Sequence, residues 1–224
     1  MQYEAWKKEY NKASTLIPTT KRTRPSSALL MFEQHLEENK LKMAGPILDL
    51  GCGNGRNSIY FSEKGYKVYA LDFIESVLER LKERTRGNKN IKVITHALPA
   101  PLPFKENSVG LVLDLTTTIS LDQKELVKAK KEIYRVLKPS GYFVCYYIAD
   151  KESYHEKLIT HPDQKFVTMP NGVRDRIWNI PAVVKFYDCF EPKLLYNKHK
   201  KDMIGKKLEP LNMIFGVFRK PILI

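Results

Sequence analysis

Long apolar runs are missing from this chain, and with them the simplest membrane reading. No stretch approaches the roughly 20 consecutive apolar residues that a bilayer span requires. Met1-Gln2-Tyr3-Glu4 leads into charged residues rather than a signal peptide's apolar core, so a cytoplasmic location is expected. Cysteine is scarce too. Cys52, Cys145 and Cys189 are three, an odd number, and none stands in a Cys-x-x-Cys pair. That argues against a disulfide framework and against a zinc site of ordinary spacing; reduced, mostly buried thiols and no metal are expected. Acid is the other shortage: 25 Asp and Glu against 38 Lys and Arg leave a formal charge of +13. Such a balance permits a nucleic-acid, acidic-protein or anionic-lipid partner without establishing one. The densest basic run falls late, at Lys198, Lys200, Lys201, Lys206 and Lys207, with His199 among them.

What remains is the composition of an ordinary globular chain: 224 residues, 43% hydrophobic, enough for one domain with a proper core. Its organising stretch is 47–72. Pro46-Ile47-Leu48-Asp49-Leu50 is apolar, too short for a helix and suited to a buried strand. Gly51, Gly53 and Gly55 alternate behind it, where the chain must turn sharply and let a ligand approach the backbone. A helix predicted from Arg56 points its unpaired N–H groups and positive end at the same spot. Tyr66-Lys67-Val68-Tyr69-Ala70-Leu71 reads as a second strand closing on Asp72. That carboxylate stands about 20 residues past the first glycine, where it can accept both hydroxyls of a ribose.

Ahead of this stretch, Tyr3, Trp6 and Tyr10 share one face of a short helix. Ser26 or Ser27 caps a second, whose apolar face is Leu29, Phe32 and Leu36, and Gly45-Pro46 releases the chain into the first strand. Beyond Asp72, Ile74, Val77, Leu78 and Leu81 predict a helix over 74–86, and 91–94 a third strand. This alternation calls for a parallel sheet. A fourth strand over 109–114 leads into Asp114-Leu115-Thr116-Thr117-Thr118. In open parallel sheets that position borders the ligand crevice. Asp122-Gln123-Lys124-Glu125 is a capping box, and Leu126, Ala129, Ile133, Val136 and Leu137 form the buried face behind it. Leu137-Lys138-Pro139-Ser140-Gly141 turns into a fifth strand over 142–148. A turn is predicted at Pro170-Asn171-Gly172, a helix from Pro181 through Phe190, and a hairpin-like pair over 193–200 and 211–219.

Asp49-Leu50-Gly51-Cys52-Gly53-Asn54-Gly55 with Asp72 resembles the nucleoside half-site of class I S-adenosylmethionine-dependent methyltransferases, spaced acid-x-Gly-x-Gly-x-Gly. The dinucleotide fingerprint is Gly-x-Gly-x-x-Gly instead. An anionic Asp49 suits a cationic amino acid tail and would repel a pyrophosphate. Leu102-Pro103-Phe104 and the Leu137–Gly141 turn are similar to later motifs of the same family, and the resemblance covers 44–221. It implies an α/β, Rossmann-like, doubly wound seven-stranded sheet, mostly parallel with an antiparallel last strand. One domain would span 1–224: a helical cap at 1–45, a cofactor core at 46–148, a substrate-shaping insert and helix at 149–190, and a final strand pair at 191–224. S-adenosyl-L-methionine would be held by Asp49, Gly51, Cys52, Gly53, Asn57, Asp72, Phe73, Ala97, Leu98, Asp114 and Leu115, with N-terminal residues as a flap.

Two positions depart from the family pattern. His96-Ala97 replaces an aspartate that accepts the adenine amino group, which leaves backbone near Ala97 and Leu98, or His96, to hold the ring. Val109-Gly110 replaces Phe-Asp and concerns packing. Methyl transfer is an in-line displacement that needs alignment and at most one proton acceptor. Candidates are Asp114 and His155, with His96 and His161 behind them. Asn-Pro-Pro-Tyr, Asp-Pro-Pro-Tyr and Pro-Cys are absent after the fourth strand, against adenine-N6, glutamine-amide and cytosine-C5 chemistry. The resemblance points to a small-molecule methyl acceptor and no membrane partner. An RNA or protein acceptor on the basic surface, or cofactor binding without catalysis, are the alternatives.

Overall fold

A computed structural model describes residues 2–11, 21–160 and 165–222. Each short apolar run predicted as a strand pairs with its neighbours, and each amphipathic segment between them is helical. The elements are α1 (Tyr3–Asn11), α2 (Ser27–Glu38), β1 (Ile47–Leu50), α3 (Arg56–Glu63), β2 (Val68–Asp72), α4 (Glu75–Arg84) and β3 (Ile91–Thr95). There follow β4 (Val109–Leu115), α5 (Gln123–Val136), β5 (Leu137–Ile148), β6 (Phe166–Thr168), β7 (Arg174–Arg176), α6 (Ile180–Phe186), β8 (Glu191–Ile204) and β9 (Lys207–Arg219).

Seven strands form one sheet in the order β3-β2-β1-β4-β5-β9-β8, and β6-β7 is a separate hairpin. β9 runs antiparallel to both β5 and β8, and every pairing from β3 to β5 is parallel. Helices cover both faces, so central strands are buried on both sides rather than alternating: Ile47, Leu48, Val109, Leu111, Val112 and Leu113 have no exposed surface. Between β1 and β4 the strand order reverses, which opens a crevice at their carboxyl ends.

The caps act as predicted. Ser26 Oγ accepts the Leu29 N–H at 3.3 Å, and α2 buries Leu29 and Phe32, the latter edge-on to Tyr142. Asp122 and Glu125 close the capping box of α5. Three boundaries differ. β5 already pairs at Leu137, and the Lys138–Gly141 turn is a bulge within the strand, with Ser140 at φ +63°. α6 stops at Phe186 because Tyr187 leaves helical geometry at ψ 37° and carries its ring into the core. The last two strands run on to Ile204 and from Lys207, joined by a tight turn at Gly205, φ +60°. Lys198, Lys201, Lys206 and Lys207 therefore lie exposed along an edge hairpin, where lysine discourages strand addition.

Gly110 explains one departure from the family pattern. A Cβ there would sit 2.7 Å from the Ala44 carbonyl carbon and closer still to its oxygen, because the chain entering β1 crosses directly over β4. The backbone cannot yield as a side chain would. Gly110→Asp is expected to cost about 3 kcal/mol, a fall of roughly 6–12 °C in Tm, measured by thermal unfolding.

Candidate active site

The glycine loop is built by backbone geometry that only glycine adopts without strain. Gly51 and Gly53 have φ of +58° and +53°. A Cβ on Gly51 would meet the Thr117 methyl at 2.6 Å, on a side chain pinned by its hydroxyl to the Leu50 carbonyl at 2.7 Å. A Cβ on Gly53 would strike the Tyr10 hydroxyl. The β1 loop, the β4 loop and α1 thus converge on one spot. There a cavity of about 260 Å³ opens at the carboxyl ends of β1 and β4. That is close to the lower end, about 300 Å³, of small-molecule pockets.

Asp72 ends β2 beneath this cavity. Its Oδ2 accepts the Gly53 N–H at 2.9 Å, and its Oδ1 accepts those of Phe73 and Ile74 at 2.7 and 3.0 Å. A carboxylate has about four acceptor positions, so about one remains, on Oδ2. The expectation that it takes both hydroxyls of a ribose is corrected accordingly: most of its capacity shapes the loop. Burial raises its pKa.

Asp49 is buried at the end of β1 and accepts the Ser58 hydroxyl at 2.5 Å. Burial pushes its pKa up to about 6, against the Ser58 hydrogen bond and the Arg56 charge. Arg56 lies in the same cavity, its pKa lowered by burial and then by Arg22. Arg22 itself pairs with Asp202 of β8, which also holds Lys200 at 3.2 Å. A buried anion beside guanidinium groups matches the ammonium and carboxylate of an amino acid tail. Sequence reasoning named Asp49 but missed Arg22 and Arg56; the basic run at 21–24 was the available signal.

The other named residues divide. Gly51, Cys52, Gly53, Asn57, Phe73, Leu98 and Leu115 line the cavity, as do Thr116, Thr117, His96 and His155. Asn57 is partly committed, since its Oδ1 accepts the Ser26 N–H at 2.8 Å. Ala97 does not line the cavity: its carbonyl accepts the Ala100 N–H at 3.1 Å, in the turn that points it away. Asp114 does not line it either. Its Oδ1 accepts the Thr117 and Thr118 N–H groups at 3.1 and 3.0 Å, and its Oδ2 the Tyr147 hydroxyl at 2.6 Å and that of Thr118. With no exposed surface and every acceptor position used, Asp114 shapes the β4 loop and reaches no substrate. This corrects its assignment as proton acceptor and cofactor ligand. His161 lies outside the described residues.

His155 is brought to the cavity with its Nδ1 3.0 Å from the Ser153 hydroxyl. Burial lowers its pKa to about 4, so the ring is neutral at physiological pH. Ile148, Met169, Leu211 and Met213 add apolar side chains to the cavity's lining. The helix α1 roofs the cavity. Gln2 bonds both the N–H and the carbonyl of Arg174, Asn171 donates to Glu9 at 2.8 Å, and the Tyr3 ring sits 5.6 Å from that of Phe73. These contacts fasten α1 across the cavity, and Trp6 and Tyr10 are among its lining residues.

The strand order, with one antiparallel strand in an otherwise parallel run, is that of a Rossmann-like doubly wound sheet. Residues 48–145 match the methyltransferase-domain family. A demethylmenaquinone methyltransferase of Staphylococcus aureus is 32% identical over 130 residues, covering 52% of each chain. The chain thus spans about half the length of the curated relatives it matches. A SAM-dependent methyltransferase of Methanosarcina mazei superposes with a TM-score of 0.69 at 20% identity, over 84% of this chain and 98% of that one. The 1,6-didemethyltoxoflavin-N1-methyltransferase of Burkholderia thailandensis, solved with bound 1,6-didemethyltoxoflavin and S-adenosylhomocysteine, gives a TM-score of 0.62 at 18% identity, over 87% of this chain and 77% of that one. Among the described residues no helix is long and apolar enough to cross a membrane, and no cluster of His, Cys, Asp and Glu could hold a metal.

Proposed function

We propose that the chain transfers a methyl group from S-adenosyl-L-methionine to an O, N or S nucleophile on a small molecule. The observation that carries this is the roofed cavity itself, which joins the glycine loop and Asp72 to apolar side chains and His155. A lid over both ends suits a small acceptor better than an RNA strand or a protein tail. The exposed lysines Lys198, Lys201, Lys206 and Lys207 follow the edge of a hairpin. The same reading gives one domain, with 1–45 as cap, 46–148 as cofactor core, 149–190 shaping the acceptor side and 191–224 completing the sheet, in the cytoplasm.

When bound, the cofactor supplies an electrophilic methyl on a sulfonium. The chain's own residues then do four things. Asp49 and Arg56 hold a zwitterionic amino acid tail, and the last acceptor position of Asp72 takes a ribose hydroxyl. Phe73 and Leu98 bracket the base, with His96 supplying polarity in place of the family's aspartate. The lid excludes water, which strengthens each of these contacts. Neutral His155, oriented by Ser153, receives the acceptor's proton.

Calorimetry with S-adenosylhomocysteine tests the cofactor site. Asp49 must be ionised to hold an ammonium, so protons compete: affinity is expected to be flat above pH 7 and to fall up to tenfold per unit below about 6. Asp49→Asn should bind more weakly at pH 8 and lose the decline. No binding at any pH would overturn the proposal. Labelled methyl groups from S-adenosylmethionine should then enter the low-mass fraction of a cell extract; label in RNA or protein would overturn the small-molecule acceptor.

A further inference from the structure

We propose that Asp175 is the residue by which this cavity recognises its acceptor, and that it selects a molecule presenting an N–H or O–H donor, neutral or cationic, over an anion. The inference rests on the methyltransferase reading and names the acceptor chemistry within it. Asp175 sits at the centre of β7, in the hairpin outside the main sheet, and is only 5% exposed. It nevertheless lines the cavity, as do Ser120, to which its carboxylate is bonded, and Ile119, Leu121 and Met169.

One hydrogen bond reaches it, from the Ser120 hydroxyl to Oδ1 at 2.7 Å. Among the described residues nothing donates to Oδ2. No cation among the described residues forms an ion pair with it either. Arg174 and Arg176 flank Asp175 in sequence, but strand alternation sends them to the other face, where both guanidiniums lie 4.3 Å from the Phe166 ring. The cavity's Arg22 and Lys200 are held by Asp202.

An isolated buried carboxylate costs several kcal/mol of desolvation, which a single hydroxyl does not offset. Burial accordingly pushes the Asp175 pKa up to about 6, with Ser120 alone opposing. Asparagine would accept the same Ser120 hydrogen bond without that cost, so stability does not account for an acid here. A ligand donor does. An N–H or O–H directed at Oδ2 would restore the missing partner, an ammonium most strongly, whereas a carboxylate or phosphate ligand would add repulsion. The apolar side chains around it then set the rest of the acceptor: an apolar body with one donor. The residue was invisible in sequence, because an acid between two arginines on a short strand reads as solvated charge.

The test uses the full chain saturated with S-adenosylhomocysteine at pH 8 and three one-ring probes: benzylamine, benzyl alcohol and benzoate. Binding is read by ligand-detected NMR. The amine and the alcohol are expected to bind, and benzoate at least about tenfold more weakly than the amine. Asp175→Asn should hold S-adenosylhomocysteine within twofold of the parent and lose the preference for amine over benzoate. Ser120→Ala, which keeps the carboxylate, should retain that preference. Equal binding of benzoate and amine, no binding of any probe, or an unchanged preference in Asp175→Asn would each overturn the proposal. So would loss of the preference in Ser120→Ala. Failure to bind S-adenosylhomocysteine itself would instead refute the methyltransferase reading on which the proposal stands.

Discussion

Asp72→Ala is expected to weaken S-adenosylhomocysteine binding about 100-fold while the chain still folds. Two losses combine. The direct one is the acceptor for a ribose hydroxyl, and a hydrogen bond to a charged group contributes about 1.5–3 kcal/mol. The indirect one is the loop: without the carboxylate, the N–H groups of Gly53, Phe73 and Ile74 lose partners at 2.9, 2.7 and 3.0 Å, and the glycine turn loosens. Together about 2.7 kcal/mol corresponds to the 100-fold change. Asp72→Asn should fall between, because the amide keeps one acceptor oxygen and can serve only one side of the loop. Calorimetry of both variants decides it, and an unchanged affinity in Asp72→Ala would remove Asp72 from the site.

Asp114→Ala should act in the opposite sense, on stability first. Two backbone N–H groups, the Thr118 hydroxyl and the Tyr147 hydroxyl all end on this carboxylate, and Tyr147 continues to the Tyr187 hydroxyl at 2.7 Å. Removing it leaves those donors buried and unpaired, at about 4 kcal/mol. For a chain of this size that lowers Tm by roughly 8–16 °C. Burial raises the Asp114 pKa, and those of its neighbours Tyr147 and Tyr187 with it. Denaturant unfolding and a pH–rate profile separate the roles. A stable Asp114→Ala protein that had lost its acid limb would restore Asp114 as a proton acceptor.

The contrast between these two aspartates shows where reading a sequence stops. Both end parallel strands at the same edge of the sheet, and both looked like ligand-facing acids. Asp72 keeps an open acceptor position because, among the described residues, only backbone N–H groups of its own loop and the glycine loop donate to it. Asp114 has none, because β5 brings Tyr147 and α6 leads to Tyr187, from positions 33 residues away and further. Local spacing cannot report a partner that arrives from so far along the chain. Ala97 failed for a nearer reason, a turn to Ala100 that a run of prolines obscured. The helix carrying Tyr3, Trp6 and Tyr10 was legible, since their spacing already put them on one face.

The amino-acid sequence alone determined the order of strands and helices, the caps of α2 and α5, the glycine loop and the positions of Asp49 and Asp72 on the strands beside it. These follow from forces acting within a few residues: apolar periodicity, N–H groups needing caps, and backbone angles open only to glycine. Tertiary structure decided the rest. It fastened α1 over the cavity through Gln2 and Glu9, required glycine at 110, brought Arg22 to Asp202, withdrew Asp114, and left Asp175 facing the cavity with one partner. Each of these depends on where distant segments meet, because the free energy of a polar group is set by the partners it finds after burial.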